Sequence, residues 1–216
     1  MHLDQTLMSL ATTASDGIPG ADGVGLTLYG ADGIDRMLAT VPFVSAVDKV
    51  QYAFGQGPCL TAASELRTIV SAEMSADPRW TLFGTRARRL GVRSALSLPL
   101  QAPAGLLATL NVYAHSGNAF GPEAVIIGEQ FASGAAITVQ HALVTNAARE
   151  LSQKLQDALA ASAVINRAIG LLMVEDELDD GAAIALLQQI AADTSMTVEE
   201  AATALVDQKP RMHNRC

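Results

Sequence analysis

The most reactive side chains in this 216-residue sequence are two cysteines and four histidines, and they are widely separated. No CxxC or HxxxH motif occurs, and two cysteines cannot by themselves form a four-ligand zinc site or a disulfide framework. Cys59 is predicted to be free, small and partly buried. No catalytic constellation is recognisable, so we expect a protein that is not an enzyme and uses no metal or cofactor.

Basic side chains that could bind phosphate are few and scattered. The net charge is −8. From residue 145 to the end six bases stand against eleven acids, which leaves −5 there and −3 for residues 1–144. Generic nucleic-acid binding needs clustered lysine and arginine, and neither part has that composition.

The longest regular stretch runs from Pro122 to Glu175, with no further proline before Pro210. Apolar residues recur at alternating spacings of four and three, as in the seam of a coiled coil. The seam residues are Ile137, His141, Val144, Ala148, Leu151, Leu155, Ala158, Ser162 and Ile165. About 50 helical residues would span roughly 75 Å, so we predict one long helix that pairs with a second copy. The alternative is two helices with a break near Gly134 or Asn146.

Ahead of that stretch, the sequence predicts an α+β domain. A short helix over 2–14 precedes strands at 24–29 and 35–40 that form a hairpin. Short helices, a strand at 68–71 and two further strands at 94–100 and 106–113 follow. The expected architecture is an antiparallel sheet of five or six strands with helices packed on it.

This region resembles a GAF domain of the type found in actinobacterial regulators. The segments that carry the resemblance are 25–28, 51–52, 55–60 (Gly-Gln-Gly-Pro-Cys-Leu), 77–80 (Asp-Pro-Arg-Trp), 91–100, 110–113 and 119–120. Some GAF proteins reduce methionine sulfoxide with several cysteines, whereas Cys59 stands alone here, which disfavours that chemistry. The resemblance implies a sensor of a small molecule or of a protein partner.

A ligand pocket is expected between the sheet and the helices that cover it. The candidate lining residues are Leu26, Leu28, Trp80, Phe83, Leu96, Asn111 and Tyr113. Core packing would explain most of these residues equally well.

Three helices are predicted at the C-terminal end. The first is the end of the long helix, the second spans 181–192 with Asp179 or Asp180 as its cap, and the third starts with a capping box at 197–200. These residues resemble an ANTAR domain, an RNA-binding module of transcription antitermination regulators. The segments that carry the resemblance are 155–159, 164–165, 168, 170–173, 183, 187, 198 and 202.

The ANTAR resemblance implies RNA-binding residues on the long helix. They are Arg167, Ala168, Gly170, Met173 and Lys154. Gly170 would let RNA approach the helix backbone, or alternatively would let another helix pack closely. The family's usual arginine and lysine are replaced here by Ser162 and Ile169.

Two hypotheses follow for the whole chain. In the first, a GAF sensor (1–145) controls an ANTAR domain (146–208), and a homodimer binds RNA hairpin loops of leader transcripts and acts in antitermination. In the second, the dimer binds a ligand or a protein and its RNA-binding surface has decayed. The tail at 209–216 is predicted to be a disordered end rather than an RNA-binding arm. Neither a secretory signal nor a membrane span is recognisable, so we expect a cytoplasmic protein with no membrane partner.

Overall fold

The computed structural model describes residues 3–103 and 105–208. One sheet of five antiparallel strands organises the N-terminal part, in the order β2-β1-β5-β4-β3. The strands are β1 (Gly23–Gly30), β2 (Gly33–Ala39), β3 (Ile69–Ser71), β4 (Ser94–Ala102) and β5 (Gly105–Ala114). The predicted α+β class with an antiparallel sheet is confirmed.

The described residues form seven helices. They are α1 (Leu3–Gly17), α2 (Pro42–Phe54), α3 (Pro58–Glu65), α4 (Thr81–Arg89), α5 (Pro122–Glu175), α6 (Asp180–Asp193) and α7 (Val198–Asp207). Both α2 and α3 begin with proline. Proline has no amide hydrogen, and in the first turn of a helix that hydrogen would have no acceptor within the helix. Two 3-10 turns, Met74–Ala76 and Pro78–Trp80, precede α4.

The two faces of the sheet differ in chemistry because successive side chains of a strand point to opposite sides. One face is apolar, and α1 and the first turns of α5 share its core. The other face carries polar residues and packs with α2, α3 and α4. Leu26 and Leu110 illustrate the first face, and their strand neighbours Thr27 and Asn111 the second.

Helix α5 runs from Pro122 to Glu175 as a single helix, which confirms the predicted long helix. The alternative, a break near Gly134 or Asn146, is not observed. By length and composition alone α5 could cross a membrane, but its first turns contribute Ala132 and Val139 to the core beside the sheet. Its apolar character therefore does not show a membrane location.

The chain divides into two compact units, 1–146 and 147–216. The core of the second unit consists of residues from the end of α5, from α6 and from α7: Ala168, Ile169, Leu172, Ala183, Leu187, Ala191, Ala201 and Ala202. Asp179 accepts a hydrogen bond from the amide of Ala182 and so caps α6. Thr197 and Glu200 form the predicted capping box of α7. The tail lies outside the described residues.

Two glycines give opposite expectations on replacement by alanine. A Cβ on Gly25 would lie 2.5 Å from Oδ2 of Asp48 and 3.0 Å from Cγ1 of Val44, so Gly25→Ala should lower the free energy of unfolding by about 1–3 kcal/mol. Gly134 lies within α5 with nothing within 4 Å of an added Cβ, so Gly134→Ala should raise stability by up to about 1 kcal/mol. Thermal unfolding followed by circular dichroism measures both. A Gly25→Ala protein as stable as the parent would contradict the close packing over β1.

Candidate functional site

Ten side chains form a polar layer between the second face of the sheet and helices α2 and α3. They come from β1, β4 and β5 and from the two helices, and they are Thr27, Tyr29, Asp48, Gln51, Tyr52, Cys59, Ser97, Thr109, Asn111 and Tyr113. Only Tyr29 and Tyr52 are half-buried, and the other eight are buried. This is an unusual concentration of buried polar groups, and each of them requires a hydrogen-bond partner.

At one end of the layer, Cys59 in the first turn of α3 is surrounded by hydroxyl groups. Its Sγ is 2.9 Å from Oγ1 of Thr109 and 3.1 Å from the hydroxyl of Tyr52. The hydroxyl of Tyr29 is 3.6 Å from the same sulfur. Cys59 is a free cysteine, and it is fully buried, whereas the sequence predicted partial burial. Burial raises the pKa of Tyr29 to about 12, so both tyrosines stay protonated at neutral pH.

Asp48 lies at the other end of the layer. The hydroxyl of Tyr113 donates to Oδ1 of Asp48 at 2.5 Å, while Oδ2 lies over Gly25. Burial raises the pKa of Asp48 to about 7, although the bond from Tyr113 opposes the rise. A buried carboxyl group with a strongly perturbed pKa is a candidate functional group.

Two amide groups in the layer are only half satisfied. Gln51 accepts a hydrogen bond from the backbone amide of Cys59, and Asn111 accepts one from Ser97. The amide nitrogens Nε2 of Gln51 and Nδ2 of Asn111 have no hydrogen-bond partner, and both residues are fully buried. An unsatisfied buried donor costs about 1–3 kcal/mol, so these two nitrogens are the least favourable groups of the layer.

The Asp-Pro-Arg-Trp segment covers the neighbouring apolar cluster. Asp77 accepts hydrogen bonds from Arg79 and from Ser71, and the guanidinium of Arg79 lies 4.2 Å from the ring centroid of Trp80. The indole nitrogen of Trp80 donates to Thr61. This arrangement fixes Trp80 over α3, where it packs with the cluster that also contains Phe83.

The seven predicted ligand-lining residues are not brought together by the fold. Leu26, Leu28 and Leu96 belong to the apolar face beside α1 and α5. Trp80 and Phe83 pack in the cluster on the other side of the sheet. Tyr113 belongs to that cluster as well as to the polar layer, and Asn111 belongs to the polar layer. Sequence reasoning missed Asp48 and Gln51, although their i, i+3 spacing on α2 places both side chains on one side of that helix.

Two open grooves lie elsewhere on the first unit. One, of about 920 Å³, runs along the edge strand β2 and contains Asp4, Arg36 and Met37. The other, of about 360 Å³, lies between Leu66, Gln101 and Glu129. None of the predicted ligand-lining residues lines either groove.

In the second unit, four exposed residues of α5 share one side of the helix. At about 100° per residue, the spacings of four, three and four residues bring them onto one stripe. They are Ala163, Arg167, Gly170 and Val174. An alanine side chain at Gly170 would have nothing within 4 Å, so packing of α6 or α7 against Gly170 is not observed. We call this surface the Arg167 face.

The other predicted RNA-binding residues lie apart from the Arg167 face. Ala168 is fully buried in the core of the second unit, so its side chain cannot reach RNA. Met173 packs against the same core and is half-buried. Lys154 is exposed, but thirteen residues separate it from Arg167, which places it about 140° away around the helix. Ile169, where the family usually has a lysine, is a core residue.

A second stripe on α5 is apolar and exposed. Its members lie within about 20° of one another around the helix in the first unit and within about 80° in the second. They are Ile126 (55% exposed), Ile137 (71%), Val144 (65%), Leu151 (60%), Leu155 (57%) and Leu159 (72%). Four of them belong to the predicted coiled-coil seam, and exposed apolar side chains on this scale mark an interaction surface.

In the described residues the ionisable side chains form no group suited to a metal ion, and the C-terminal part of the chain is acidic. Within residues 3–103 and 105–208, no three His, Cys, Asp or Glu side chains are grouped so that they could hold a metal ion. Residues 153–206 contain two bases against nine acids, a net charge of −7.

Family comparison assigns both parts of the chain. Residues 1–140 match the model of the GAF domain, and residues 153–206 match the model of the ANTAR domain. No curated protein matches the chain.

Several solved structures are similar to the first part of the chain. A domain described as part of a two-component sensor histidine kinase protein from Sinorhizobium meliloti 1021 has a TM-score of 0.54 at 11% identity, covering 68% of this chain and 97% of that one. The GAF domain of a sensor histidine kinase from Bacillus halodurans has a TM-score of 0.50 at 11% identity, with coverages of 67% and 98%. A type II free methionine-R-sulfoxide reductase from Thermoplasma acidophilum has a TM-score of 0.48 at 11% identity, with coverages of 64% and 93%. At such identities the first two likenesses show the fold alone.

The buried carboxyl group of Asp48 predicts a specific dependence of stability on pH. Its pKa is raised by folding, so between about pH 4 and 7 the folded protein holds a proton that the unfolded chain releases. The free energy of unfolding should therefore fall as pH rises through this range, by up to about 1.4 kcal/mol per pH unit. Urea unfolding at several pH values measures this slope.

Asp48→Asn should flatten that slope. Asp77→Asn is the matched control: Arg79 lowers the pKa of Asp77, so this carboxylate titrates below the same pH range. An unchanged slope in the Asp48→Asn protein would contradict the assignment.

Proposed function

The chain belongs to the GAF domain family and is a signal-sensing regulator with an ANTAR domain, and from this premise we propose that it acts in transcription antitermination as a homodimer. A small molecule or a protein partner of the GAF domain changes the pairing of two α5 helices. The two ANTAR domains then bind RNA hairpin loops of a leader transcript and prevent a terminator from forming. The protein works in the cytoplasm and has no catalytic role.

The exposed apolar stripe of α5 supports the homodimer. Six large apolar side chains on one side of a helix lose contact with water when two such helices pack together, with roughly 25 cal/mol gained per Å² of apolar surface buried. His141 and Ser162 interrupt the predicted seam with polar groups, and both are exposed. Polar residues in a seam weaken one register relative to another, which gives a signal two arrangements to choose between.

The Arg167 face supports RNA binding. Gly170 is exposed within a helix, where alanine would be more stable by about 1 kcal/mol, and no part of the second unit packs on it. A partner that approaches the helix backbone closely accounts for the glycine. Arg167 is next to it on the same side, with its charge available to a phosphate.

The negative net charge of the ANTAR domain favours the second function, a dimer that binds a ligand or a protein and has no RNA affinity. The ANTAR domain carries −7, and the two basic positions of the family are held by exposed Ser162 and core Ile169. A phosphate backbone is repelled by such a surface except where a positive group lies close to it.

A gel-shift titration with a two-hairpin leader RNA separates the two functions. Binding should be lost or weakened by about 10–100-fold in Arg167→Ala, because a charge-assisted hydrogen bond contributes about 1.5–3 kcal/mol. Affinity should fall as salt is raised. Arg86→Ala, which removes an exposed arginine of α4 in the other unit, is the matched control and should bind like the parent.

Two glycine variants refine this test. Gly170→Ala should stabilise the helix yet weaken RNA binding, whereas Gly134→Ala should stabilise it and leave RNA binding unchanged. Absence of any shift at micromolar protein, with or without a ligand, would favour the second function.

Sedimentation equilibrium tests the homodimer. Leu151→Glu combined with Leu155→Glu places two charges in the apolar stripe and should convert a dimer into a monomer. Ala160→Glu adds the same side chain on the opposite side of α5, about 180° from Leu151, and should leave the dimer intact. A parent protein that sediments as a monomer throughout would exclude the proposed transmission along paired helices.

A further inference from the structure

We infer that the exposed side of α4 docks an acidic segment of a partner protein through two arginines and a leucine. This surface, which we call the α4 stripe, consists of Leu82, Thr85, Arg86 and Arg89. The inference rests on the proposed sensor role, in which a protein partner is one kind of signal, and it names the chemistry of that partner.

Positive charge is concentrated around α4, although the chain as a whole is acidic. Residues 78–122 contain five arginines and no aspartate or glutamate, which gives this stretch +5 and leaves −13 for the rest of the chain. The sequence-wide impression of scattered bases therefore does not hold here. A positive surface on a negative protein attracts an anionic group at that place, while the remaining surface repels it.

The arginines of this stretch differ in whether their charge is already matched. Those that form an ion pair with Asp77 or Glu73 are Arg79, Arg88 and Arg93. Arg86 and Arg89 are exposed, and within residues 3–103 and 105–208 neither forms an ion pair with a carboxylate. These two guanidinium groups can therefore bind an acid from another molecule without breaking a contact of their own.

The α4 stripe also presents an apolar side chain. At about 100° per residue its members lie within about 100° of one another, on the side of α4 opposite the buried Phe83 and Ala87. Leu82 is 61% exposed and lies one turn before Arg86. A leucine in this position gains by contact with an apolar side chain of a partner, because such contact removes its surface from water.

Helix α4 holds the stripe rigidly. Phe83 is fully buried in a cluster with Met74 and Trp80. Gly84 lies so close to the chain beneath it that an added Cβ would overlap the carbonyl oxygen of Met74. The backbone of the stripe is thus fixed before a partner arrives, and less conformational entropy is lost on binding.

Charge alone would also allow RNA, but the surroundings favour a short acidic protein segment. Arg86 and Arg89 are separated by only about 4.5 Å along the helix axis. An RNA strand that extends beyond them meets a chain that carries −13 outside residues 78–122, and its phosphates offer no apolar contact to Leu82.

A protein segment can match all three side chains at once. Two carboxylates three or four residues apart on a helix are neighbours, as Arg86 and Arg89 are on α4. Each guanidinium can donate two parallel hydrogen bonds to one carboxylate. An apolar residue one turn away on the same segment then covers Leu82, so the expected partner is an acidic amphipathic helix.

Selection from a displayed library of random peptides of about 15 residues, long enough to form a helix on binding, tests the inference on the full-length protein. Peptides that also bind the combined Arg86→Ala and Arg89→Ala variant are removed by counter-selection. The remaining peptides should carry at least two aspartates or glutamates within one turn and an apolar residue beside them. No enrichment, or enrichment of peptides without acids, overturns the inference.

Fluorescence polarisation with a synthetic copy of a selected peptide locates the contact. Arg86→Ala and Arg89→Ala should each weaken binding about tenfold or more, and replacing the peptide's acids by their amides should do the same. Leu82→Ala should weaken it less, and affinity should fall as salt is raised. Arg67→Ala is the matched control, because Arg67 is exposed but is paired with Glu65 and lies outside α4. Equal affinity of both stripe variants, or of the amide peptide, overturns the inference.

Gel shift and sedimentation of the same proteins separate this inference from the proposed regulator. Loss of the RNA shift in the combined arginine variant assigns the α4 stripe to RNA and overturns the inference. Failure to select an arginine-dependent peptide, with RNA binding and dimerisation intact, refutes the partner class alone. Arginine-dependent peptide binding by a monomer without RNA affinity supports the partner class and refutes the regulator.

Discussion

The close approach of α5 to the sheet is the constraint on which the rest of the structure depends. The first turns of this helix meet the leucines of β4 through small residues such as Ala124, Gly128 and Ala132. A Cβ on Gly128 would lie 2.9 Å from Cδ1 of Leu98, so the helix could not lie this close with a larger residue. Because one side of these first turns is fixed on the sheet, their register is fixed as well, and the part of the apolar stripe in the first unit must face away from the core.

The sheet separates two kinds of interior. On one face leucine and valine side chains pack with α1 and α5, and this burial stabilises the fold through the hydrophobic effect. On the other face the hydroxyl, thiol, amide and carboxyl groups of the polar layer offset one another only in part, because two amide nitrogens stay unpaired. A core built for stability alone would contain apolar residues there.

Much of the architecture could be predicted from local sequence. The long helix follows from its apolar period, the capping box at Thr197 from its residue types, and the hairpin that starts at β1 from its turn residues. A few neighbouring residues specify each of these features. The polar layer could not be found that way, because the proximity of Asp48, Gly25 and Asn111 depends on strand register and on the packing of α2. The alternation of polar and apolar residues in β5 was the available signal. The predicted ligand residues lie on both faces of the sheet, because residue type alone does not tell which face a position occupies.

The exposed stripe of α5 also bears on the lifetime of the protein in a cell. A single copy presents six large apolar side chains, which is the kind of surface that chaperones and proteases recognise in incompletely assembled chains. The proposed homodimer would cover these side chains, and by mass action the covered fraction would rise with the amount of protein synthesised. In that case, newly made copies would be degraded preferentially while scarce and spared once abundant, and the regulator would have a threshold of expression below which it does not accumulate.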